Sequence, residues 1–492
     1  MSAFSERLHA YVTRADMKIA VLSKLSGVDR SFIQKMLSGE RIPSDTVVLS
    51  RLSDALMLTP AERRSLRETY SISRMGEEVY HRRSMVKRLL EDADSYYFHT
   101  PVFSPPSLSD LSPLPDVLPL QGKGAVTDGL RMLLDRELSV SSPKLSIVMQ
   151  PDCPIAVILH NCCRAFPSLE IQHVLRFDNE LQYQKENQYN IRCIHDLLPF
   201  LLSPCTYSGW FYYDFISEEQ SRDSVFPWFI LGQKSVLSLS YDCKKGILYS
   251  QPHTVSLFQQ IFSEIQTDCL PLFELMNTEA SQFWDHRRWP TTHHPMTYSL
   301  QYEPCWAFFY SMDIVESRLR DDLPNRAEIL SFFTQRREQI SLLEGTMRCT
   351  AFFTMDGLDS FLKSGRLSEL PDKIYSPLTL EQRAELFRRM IACIHQQRFI
   401  PYLVRPQKFR IPKGVSFFVA DDQHLSCCCL HPSKGPIAVT LREKSVVYSI
   451  CDFLEYLPET DLIYSRKESE DLLRSRLAEF ISTMESHTKK ED

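Results

Sequence analysis

The chain has 492 residues, of which 43% are hydrophobic and 24% are charged, and its formal net charge is −6. This length predicts more than one domain, and this composition is typical of globular proteins and excludes wholesale disorder. The first residues are polar, and the most apolar stretch, 197–213, is interrupted by two prolines and a glycine. We therefore expect no secretory signal, no membrane span and a cytoplasmic location.

The charge is distributed unevenly along the chain. Residues 1–90 contain 16 Lys/Arg and 10 Asp/Glu, whereas residues 91–492 contain 40 Lys/Arg and 52 Asp/Glu. A small basic segment attached to an acidic body is the distribution expected when only the segment binds a polyanion.

The first 90 residues are predicted to be almost entirely helical, and two of the short helices meet at Gly27. Glycine gives the backbone the freedom that a tight helix-helix turn requires, and Asp29 can cap the second helix of the pair. Apolar residues at helical spacing should pack this second helix inward; they are Ile33, Met36 and Leu37.

The opposite face of the same helix carries side chains that can form hydrogen bonds with base edges in a major groove. These are Arg30, Ser31, Gln34 and Lys35. Gly39 and Pro43 predict the end of this helix. A supporting helix is expected over Thr46–Met57, and Thr59 with Glu62 forms the pattern of a capping box for the next one.

This segment resembles the lambda-repressor-like, or XRE/Cro-type, helix-turn-helix regulators over about 70 residues, from Phe4 to Tyr70. The matching residues are Leu22, Gly27, Val28, Arg30, Ser31, Ile33, Gly39, Arg41, Pro43 and Ser44, followed by Leu52, Ala55 and Leu56. Two positions depart from the family pattern, with Ser23 in place of a small alanine and Leu37 in place of a glutamate.

The resemblance implies that the second helix lies in the major groove of double-stranded DNA. It implies base contacts from Arg30, Ser31 and Lys35 and phosphate contacts from Lys18 and Arg41, and helical geometry adds Gln34 to the base-reading set. Proteins of this type usually bind as homodimers, because one short helix reads few base pairs.

Beyond this segment, the sequence predicts a multidomain chain with a large α/β or α+β body. The helix-turn-helix domain with its trailing helix is assigned to residues 1–90, and a linker rich in proline and serine to residues 91–122. Alternating strand and helix patterns then assign residues 123–282 and 283–492 to two parts of a sensor region.

The body is possibly built from two related halves. Ile247-Leu248-Tyr249-Ser250 and Leu462-Ile463-Tyr464-Ser465 are similar, and each precedes a predicted helix. Few positions are identical, so chance explains this sequence similarity nearly as well as duplication does.

Several residue clusters in the body admit a functional or a structural interpretation. The run His424–His431 contains metal-ligating residue types, but a buried strand rich in thiols is the favoured interpretation. His286, His293 and His294 form a possible ligand pocket or an exposed loop, and the aromatic runs near Trp210 and Trp306 suit an apolar pocket or an ordinary core. The 14 cysteines show no CxxC spacing and are expected to be reduced and mostly buried.

No nucleophile elbow, P-loop, zinc-protease or dinucleotide-binding motif is present, so neither an enzyme activity nor a cofactor nor a metal site is predicted. The predicted function is a sequence-specific DNA-binding transcriptional regulator whose C-terminal region senses an unidentified small-molecule, peptide or protein effector, dimerises, or does both. Two alternatives stay open: a protein-interaction adaptor, and an enzyme fused to an autoregulatory helix-turn-helix.

Overall fold

The computed structural model describes residues 2–93, 114–179, 188–214, 225–276, 298–342, 348–367, 370, 372–421, 424–431 and 435–491. The chain forms two compact units, and the boundary between them falls between Met85 and Val86. This boundary lies inside one helix, Glu77–Asp92.

The first unit is helical, as the sequence predicts. Its helices are α1 Ala3–Arg14, α2 Ile19–Ser26, α3 Arg30–Ser38, α4 Thr46–Ala55 and α5 Pro60–Met75, followed by the first part of α6 Glu77–Asp92. Apolar side chains from all of the first five helices and their connections form one core, and the fully buried ones include Phe4, Leu8, Leu22, Ile33, Met36, Leu52 and Leu66.

Local signals set the ends of these helices. Thr59 accepts a hydrogen bond from the backbone N–H of Glu62, whose carboxylate accepts one from the backbone N–H of Thr59, so the predicted capping box is present. Gly27 and Gly39 end α2 and α3 in the left-handed conformation, with φ of 66° and 81°.

The second unit contains two mixed sheets. The first sheet has eight strands in the order β1-β7-β6-β5-β2-β3-β4-β8. Its strands are β1 Val117–Gln121, β2 Lys144–Val148, β3 Glu170–Asp178, β4 Thr206–Asp214, β5 Trp228–Leu231, β6 Val236–Leu239, β7 Lys245–Tyr249 and β8 Leu270–Pro271. The helices between them are α7 Lys123–Glu137, α8 Ala156–Ala165, α9 Gln188–Leu201 and α10 Pro252–Thr267.

The second sheet has seven strands in the order β12-β11-β10-β13-β14-β15-β9. Its strands are β9 Phe273–Met276, β10 Tyr298–Leu300, β11 Cys349–Phe353, β12 Phe399–Leu403, β13 Val415–Asp421, β14 His424–His431 and β15 Gly435–Leu441. The accompanying helices are α11 Met312–Arg318, α12 Arg326–Leu342, α13 Met355–Ser364, α14 Leu380–His395, α15 Lys444–Tyr456 and α16 Arg466–Glu491.

The two sheets have the same topology. In each, three consecutive strands run parallel (β2, β3, β4 and β10, β11, β12), and the next three strands form an antiparallel meander beside the first of them. In each, the earliest strand pairs antiparallel with the last strand of the meander. The bridge between Val404 and Ile463 occupies the position in the second sheet that β8 occupies in the first. The body therefore consists of two related halves.

This correspondence corrects the register of the repeat suggested by the sequence. The sequence similarity pairs the segment at Ile247, which lies in β7, with the segment at Leu462. In the structure the counterpart of β7 is β15, and Ile463 corresponds instead to β8. The order of the strands is shared by the two halves, whereas the local sequence similarity joins elements that are not equivalent.

The halves meet through a short junction and several polar contacts. Leu272 is the single residue between β8 and β9; its N–H donates to Gly209 C=O in the first sheet, and its C=O accepts from the N–H of Arg442, which follows β15. Tyr213 donates its hydroxyl to the buried carboxylate of Glu443 at 2.9 Å.

Other elements differ from their predictions in local detail. Residues 117–121, at the end of the predicted linker, form β1, which tolerates Pro119 because it pairs with β7 alone. Helix α9 was not predicted, and α8 begins two residues after Pro154. The histidines at 286, 293 and 294 lie outside the described residues.

The run from His424 to His431 is a strand, β14, as favoured by the sequence. Among the described residues, no group of three or more His, Cys, Asp or Glu side chains could hold a metal ion. Most of the remaining described cysteines are buried, but Cys153 and Cys243 form a disulfide with their Cα atoms 6.8 Å apart, which contradicts the expectation that all thiols are reduced.

Within the described part of the chain, no helix combines the length and apolar character needed to cross a bilayer.

Candidate nucleic-acid interface

Helix α3 presents two different faces. Ile33 and Met36 are fully buried in the core of the first unit, and Leu37 is half-buried against it. Arg30, Ser31 and Gln34 are exposed. The predicted division of this helix into an inward apolar face and an outward polar face is therefore present.

The turn before α3 is held by hydrogen bonds from small side chains. Gly27 has the left-handed conformation that joins the two helices, and the hydroxyl of Ser23 donates to Val28 C=O at 2.7 Å. Ser26 donates to Leu22 C=O and accepts from the N–H of Val28. Ser23 occupies a position where the resemblance predicts a small alanine. Its hydroxyl forms a hydrogen bond that an alanine could not form, and this bond stabilises the turn.

Asp29 caps α3 and also binds one of the predicted base-reading side chains. Its Oδ1 accepts from the N–H of Ser31 at 2.8 Å and of Phe32 at 3.1 Å, and from the Ser31 hydroxyl at 2.6 Å. The Ser31 hydroxyl bond and then the Phe32 bond lower the pKa of the Asp29 carboxyl. With its proton directed at Asp29, the Ser31 oxygen remains available as an acceptor.

The ammonium group of Lys35 lies near a carboxylate that the sequence pattern does not indicate. Its side chain is 41% exposed, and its Nζ lies 3.7 Å from Oε1 of Glu40, which follows α3. A neighbouring carboxylate reduces the positive potential that Lys35 can offer to an anion. This contact depends on rotamers that a sequence pattern does not specify.

The two predicted phosphate-contacting residues lie at the ends of the helix pair. Lys18 is exposed at the start of α2, and its C=O accepts the first backbone hydrogen bonds of that helix. Arg41 is exposed in the connection after α3, and its N–H donates to Lys35 C=O at 3.1 Å.

Two residues of α5 that no sequence pattern marks support the connection that carries Arg41. The buried Tyr70 donates its hydroxyl to Pro43 C=O at 3.1 Å, and Arg74 Nη1 donates to Ser44 C=O at 3.1 Å. Both bonds join residues about thirty positions apart, so no local motif signals them.

A family model described as a helix-turn-helix domain matches residues 3–66. This range covers α1–α4 and the start of α5, including the turn at Gly27. No curated protein sequence matches the chain.

Two solved structures give weak overall similarities. A phosphatidylserine synthase from Haemophilus influenzae Rd KW20 is 7% identical with a TM-score of 0.22, over 76% of this chain and 95% of that one. TrmBL2, an archaeal chromatin protein whose structure is described as showing a novel mode of DNA binding, is 11% identical with a TM-score of 0.20, over 54% of this chain and 99% of that one. Scores of this size do not indicate a shared overall fold.

Proposed function

We propose that the protein is a sequence-specific DNA-binding transcriptional regulator of the lambda-repressor-like type that acts in the cytoplasm. Its first unit binds double-stranded DNA with α3 in the major groove. The side chains proposed to face bases are Arg30, Ser31, Gln34 and Lys35, and those proposed to contact phosphates are Lys18 and Arg41.

The observation that supports this proposal most strongly is the construction of α3. The helix is anchored by Ile33 and Met36, capped by Asp29, and entered through a turn of the helix-turn-helix type. Its outward face carries donors and acceptors of the kinds that read base edges.

We further propose that the protein binds DNA as a homodimer. Helix α3 has nine residues and can contact only a few base pairs, so one copy would discriminate poorly among genomic sites. A dimer would read two half-sites related by symmetry.

The second unit is proposed to be a sensor for a ligand or protein partner, and not an enzyme. A ligand that favours one arrangement of the dimer would change DNA affinity without touching α3. The adaptor alternative predicts instead that the full chain has no salt-dependent affinity for DNA.

The test is a selection of genomic fragments by the purified full-length protein beside Arg30→Ala/Lys35→Ala. The matched control is Arg64→Ala/Arg67→Ala, which removes two charges from the exposed surface of α5. We expect the wild type and the control to enrich one symmetric site, and the α3 variant to lose it. If the control variant loses enrichment equally, nonspecific charge and not α3 accounts for binding.

A salt titration then separates base contacts from phosphate contacts. Lys18→Ala and Arg41→Ala should each weaken binding to all sequences alike. Each should also reduce the magnitude of the negative slope of log K against log salt by about 1. Absence of DNA affinity even at low salt would favour the adaptor alternative.

A further inference from the structure

Two cysteines of the first half form a disulfide between connections that are far apart in sequence. Cys153 lies in the connection between β2 and α8, and Cys243 lies in the tight turn between β6 and β7, 90 residues further along the chain. Strand β5 runs antiparallel to both β2 and β6, so the ends of β2 and β6 lie at the same edge of the sheet. The disulfide therefore crosses the start of β5 and ties two connections together at this edge.

The β6–β7 turn has hydrogen bonds of its own. The N–H of Cys243 donates to Ser240 C=O at 2.9 Å, and the N–H of Ser240 donates to Lys245 C=O at 2.9 Å. Asp242 Oδ1 accepts from the Ser240 hydroxyl at 2.9 Å and from the N–H of Lys244 at 3.1 Å. Because none of these bonds involves a sulfur atom, we expect the turn to persist when the disulfide is reduced.

The connection after β2 is also closed by short-range hydrogen bonds. The N–H of Cys153 donates to Gln150 C=O at 3.4 Å, and the N–H of Ala156 donates to Cys153 C=O at 2.9 Å. These bonds hold the local shape of the connection but do not attach it to the turn. Reduction would therefore release one connection from the other without unfolding either, and the two thiols would stay close enough to react again.

Cys243 has a backbone conformation that residues with a side chain rarely adopt. Its φ is 54°, in the left-handed region where glycine and asparagine fit at lower cost. The turn itself therefore gives no preference for cysteine at this position, whereas the disulfide requires it.

Other cysteines of the second unit are poorly suited to oxidation. Burial raises the pKa of the Cys162 and Cys349 thiols to about 12. Such thiols carry almost no thiolate at neutral pH, and the thiolate is the form that reacts with an oxidant. Cys153 is 9% exposed, and the residues on both sides of it are exposed, so a small reagent can approach it from the surface.

The β6–β7 turn is connected to the contact between the two halves. Trp228, the first residue of β5, donates from Nε1 to Tyr241 C=O in the turn at 3.3 Å, and its ring centre lies 5.7 Å from the guanidinium carbon of Arg176 on β3. Arg176 Nη1 lies 3.5 Å from Oδ2 of Asp214 on β4, and the neighbouring Tyr213 binds the second half through its hydroxyl. A displacement of the turn would therefore act on groups that reach the second half.

We propose that Cys153 and Cys243 are a reversible redox pair, and that their oxidation by a peroxide is the signal that the second unit reads. The reversibility rests on the proposed function, since a transcriptional regulator works where glutathione and thioredoxin keep thiols reduced. In such a compartment a disulfide is usually transient and serves redox sensing or catalysis, whereas secreted proteins use disulfides as permanent crosslinks.

The chemistry of the pair balances with reagents of two classes. Hydrogen peroxide converts one thiol to a sulfenic acid and releases one water, and the second thiol then attacks this sulfur and releases another water. Two thiols and one peroxide thus give one disulfide and two waters. A dithiol reductant returns two electrons and two protons to the pair and is itself oxidised to a disulfide.

The first test is differential alkylation of the folded full-length protein, followed by peptide mapping. The protein is equilibrated, without DNA, in glutathione mixtures from fully oxidised to fully reduced, and the reduced sample is then treated with hydrogen peroxide. We expect Cys153 and Cys243 to become alkylated together as the mixture becomes reducing, and to be protected again after peroxide. The buried Cys349 should be alkylated only after unfolding.

The site variants are Cys153→Ser and Cys243→Ser, and in each of them the remaining cysteine of the pair should form no disulfide with another cysteine of the chain. The matched control is Cys269→Ser, because the Cys269 Sγ donates to Ile265 C=O at 3.1 Å and a serine hydroxyl can form the same bond. The control should keep the redox response of the wild type. Two independent site variants keep the test valid if one of them does not fold.

The second test measures affinity for the DNA fragment that the genomic selection enriches. We expect the oxidised and reduced forms of the wild type to differ at least about fivefold in Kd. Cys269→Ser should show the same difference, whereas Cys153→Ser should have one affinity whichever treatment it receives.

The proposal is overturned if the disulfide persists in the folded protein under fully reducing glutathione, because the bond is then a permanent crosslink. It is also overturned if peroxide does not restore the bond, or if both forms bind the fragment with equal, measurable affinity. Alkylation requires no DNA, so the two proposals fail in different ways. Reversible alkylation without DNA affinity in either form would contradict the DNA-binding proposal and not the redox pair.

Discussion

His195 of α9 binds Asp92, the last residue of α6, with its Nε2 lying 2.9 Å from Oδ2 of the aspartate. The other ring nitrogen, Nδ1, lies 3.1 Å from Oδ1 of Asp196. One residue earlier in α6, Glu91 accepts from the N–H of Arg410, which belongs to the second half. The C-terminal end of α6 is therefore fastened to both halves of the body.

The His195 contact makes this attachment dependent on pH. Hydrogen bonds to Asp196 and, more weakly, to Asp92 raise the pKa of His195 above 6.5, against the effect of burial; Arg88 also pairs with Asp92, at 3.4 Å. A raised pKa in the folded state means that the stabilisation is complete below pH 6.5 and is lost as the pH rises through the folded-state pKa.

We expect His195→Gln to lower the free energy of unfolding of the second unit by about 1 kcal/mol near pH 5.5 and by less near pH 9. Asp92→Asn should show the same pH dependence with a smaller loss, because that carboxylate is 36% exposed. Denaturant titrations at the two pH values measure both losses. An equal loss at both pH values would show that packing, and not charge, accounts for the effect.

Removing the cap of α3 should weaken DNA binding more than removing an equivalent cap elsewhere. Asp29→Ala leaves the N–H groups of Ser31 and Phe32 without their acceptor and frees the first turn of the proposed reading helix. Asp45→Ala is the control, because Asp45 caps α4 by the same two-bond pattern. We expect DNA affinity to fall about fivefold for the first variant and less than about twofold for the second. Equal losses in a binding titration would contradict a special role for α3.

The turn at Gly27 should tolerate a side chain sterically but not conformationally. An added Cβ at Gly27 would meet no atom within 4 Å, yet the backbone has φ of +66°. Gly27→Ala should therefore lower the stability of the first unit by about 1–2 kcal/mol. Gly124→Ala in α7 also meets no atom, and it has no positive φ, so it should be neutral or slightly stabilising. Thermal unfolding of both variants distinguishes backbone strain from crowding.

Glu40 should act as a restraint on DNA affinity. Its carboxylate lies 3.7 Å from the Lys35 Nζ, and it is 63% exposed beside the proposed interface. Glu40→Gln removes the competing anion and should raise affinity about two- to threefold at low salt, with the gain diminishing as salt increases. Glu68→Gln, on the exposed surface of α5, is the charge-matched control and should change affinity less. A gain that persists unchanged at high salt would argue against this electrostatic cause.

Features that depend on residues within one turn of each other were predicted correctly from the sequence. The capping box at Thr59 and the two faces of α3 are present because each rests on spacings of three or four residues. The contact between Lys35 and Glu40, and the bond of Ser31 to Asp29, depend on rotamers and were not foreseen.

Helix α9 shows why other elements were missed. Most of its side chains are buried, including Ile191, Ile194, Leu197 and Leu198. Pro199 lies in its last turn and reads as a helix breaker. The shared topology of the two halves is set by strand pairings between distant residues, and the sequence reveals only a fragment of it, in the wrong register.

The single-residue junction at Leu272 has a consequence for how the body unfolds. Its side chain is fully buried, and its two backbone groups are bonded to different sheets, so neither half can separate without breaking a hydrogen bond of the other. Two independently melting domains are normally joined by an exposed linker. The body should instead lose its structure in one cooperative transition, and a protease should find no cleavage site between β8 and β9 until that transition has occurred.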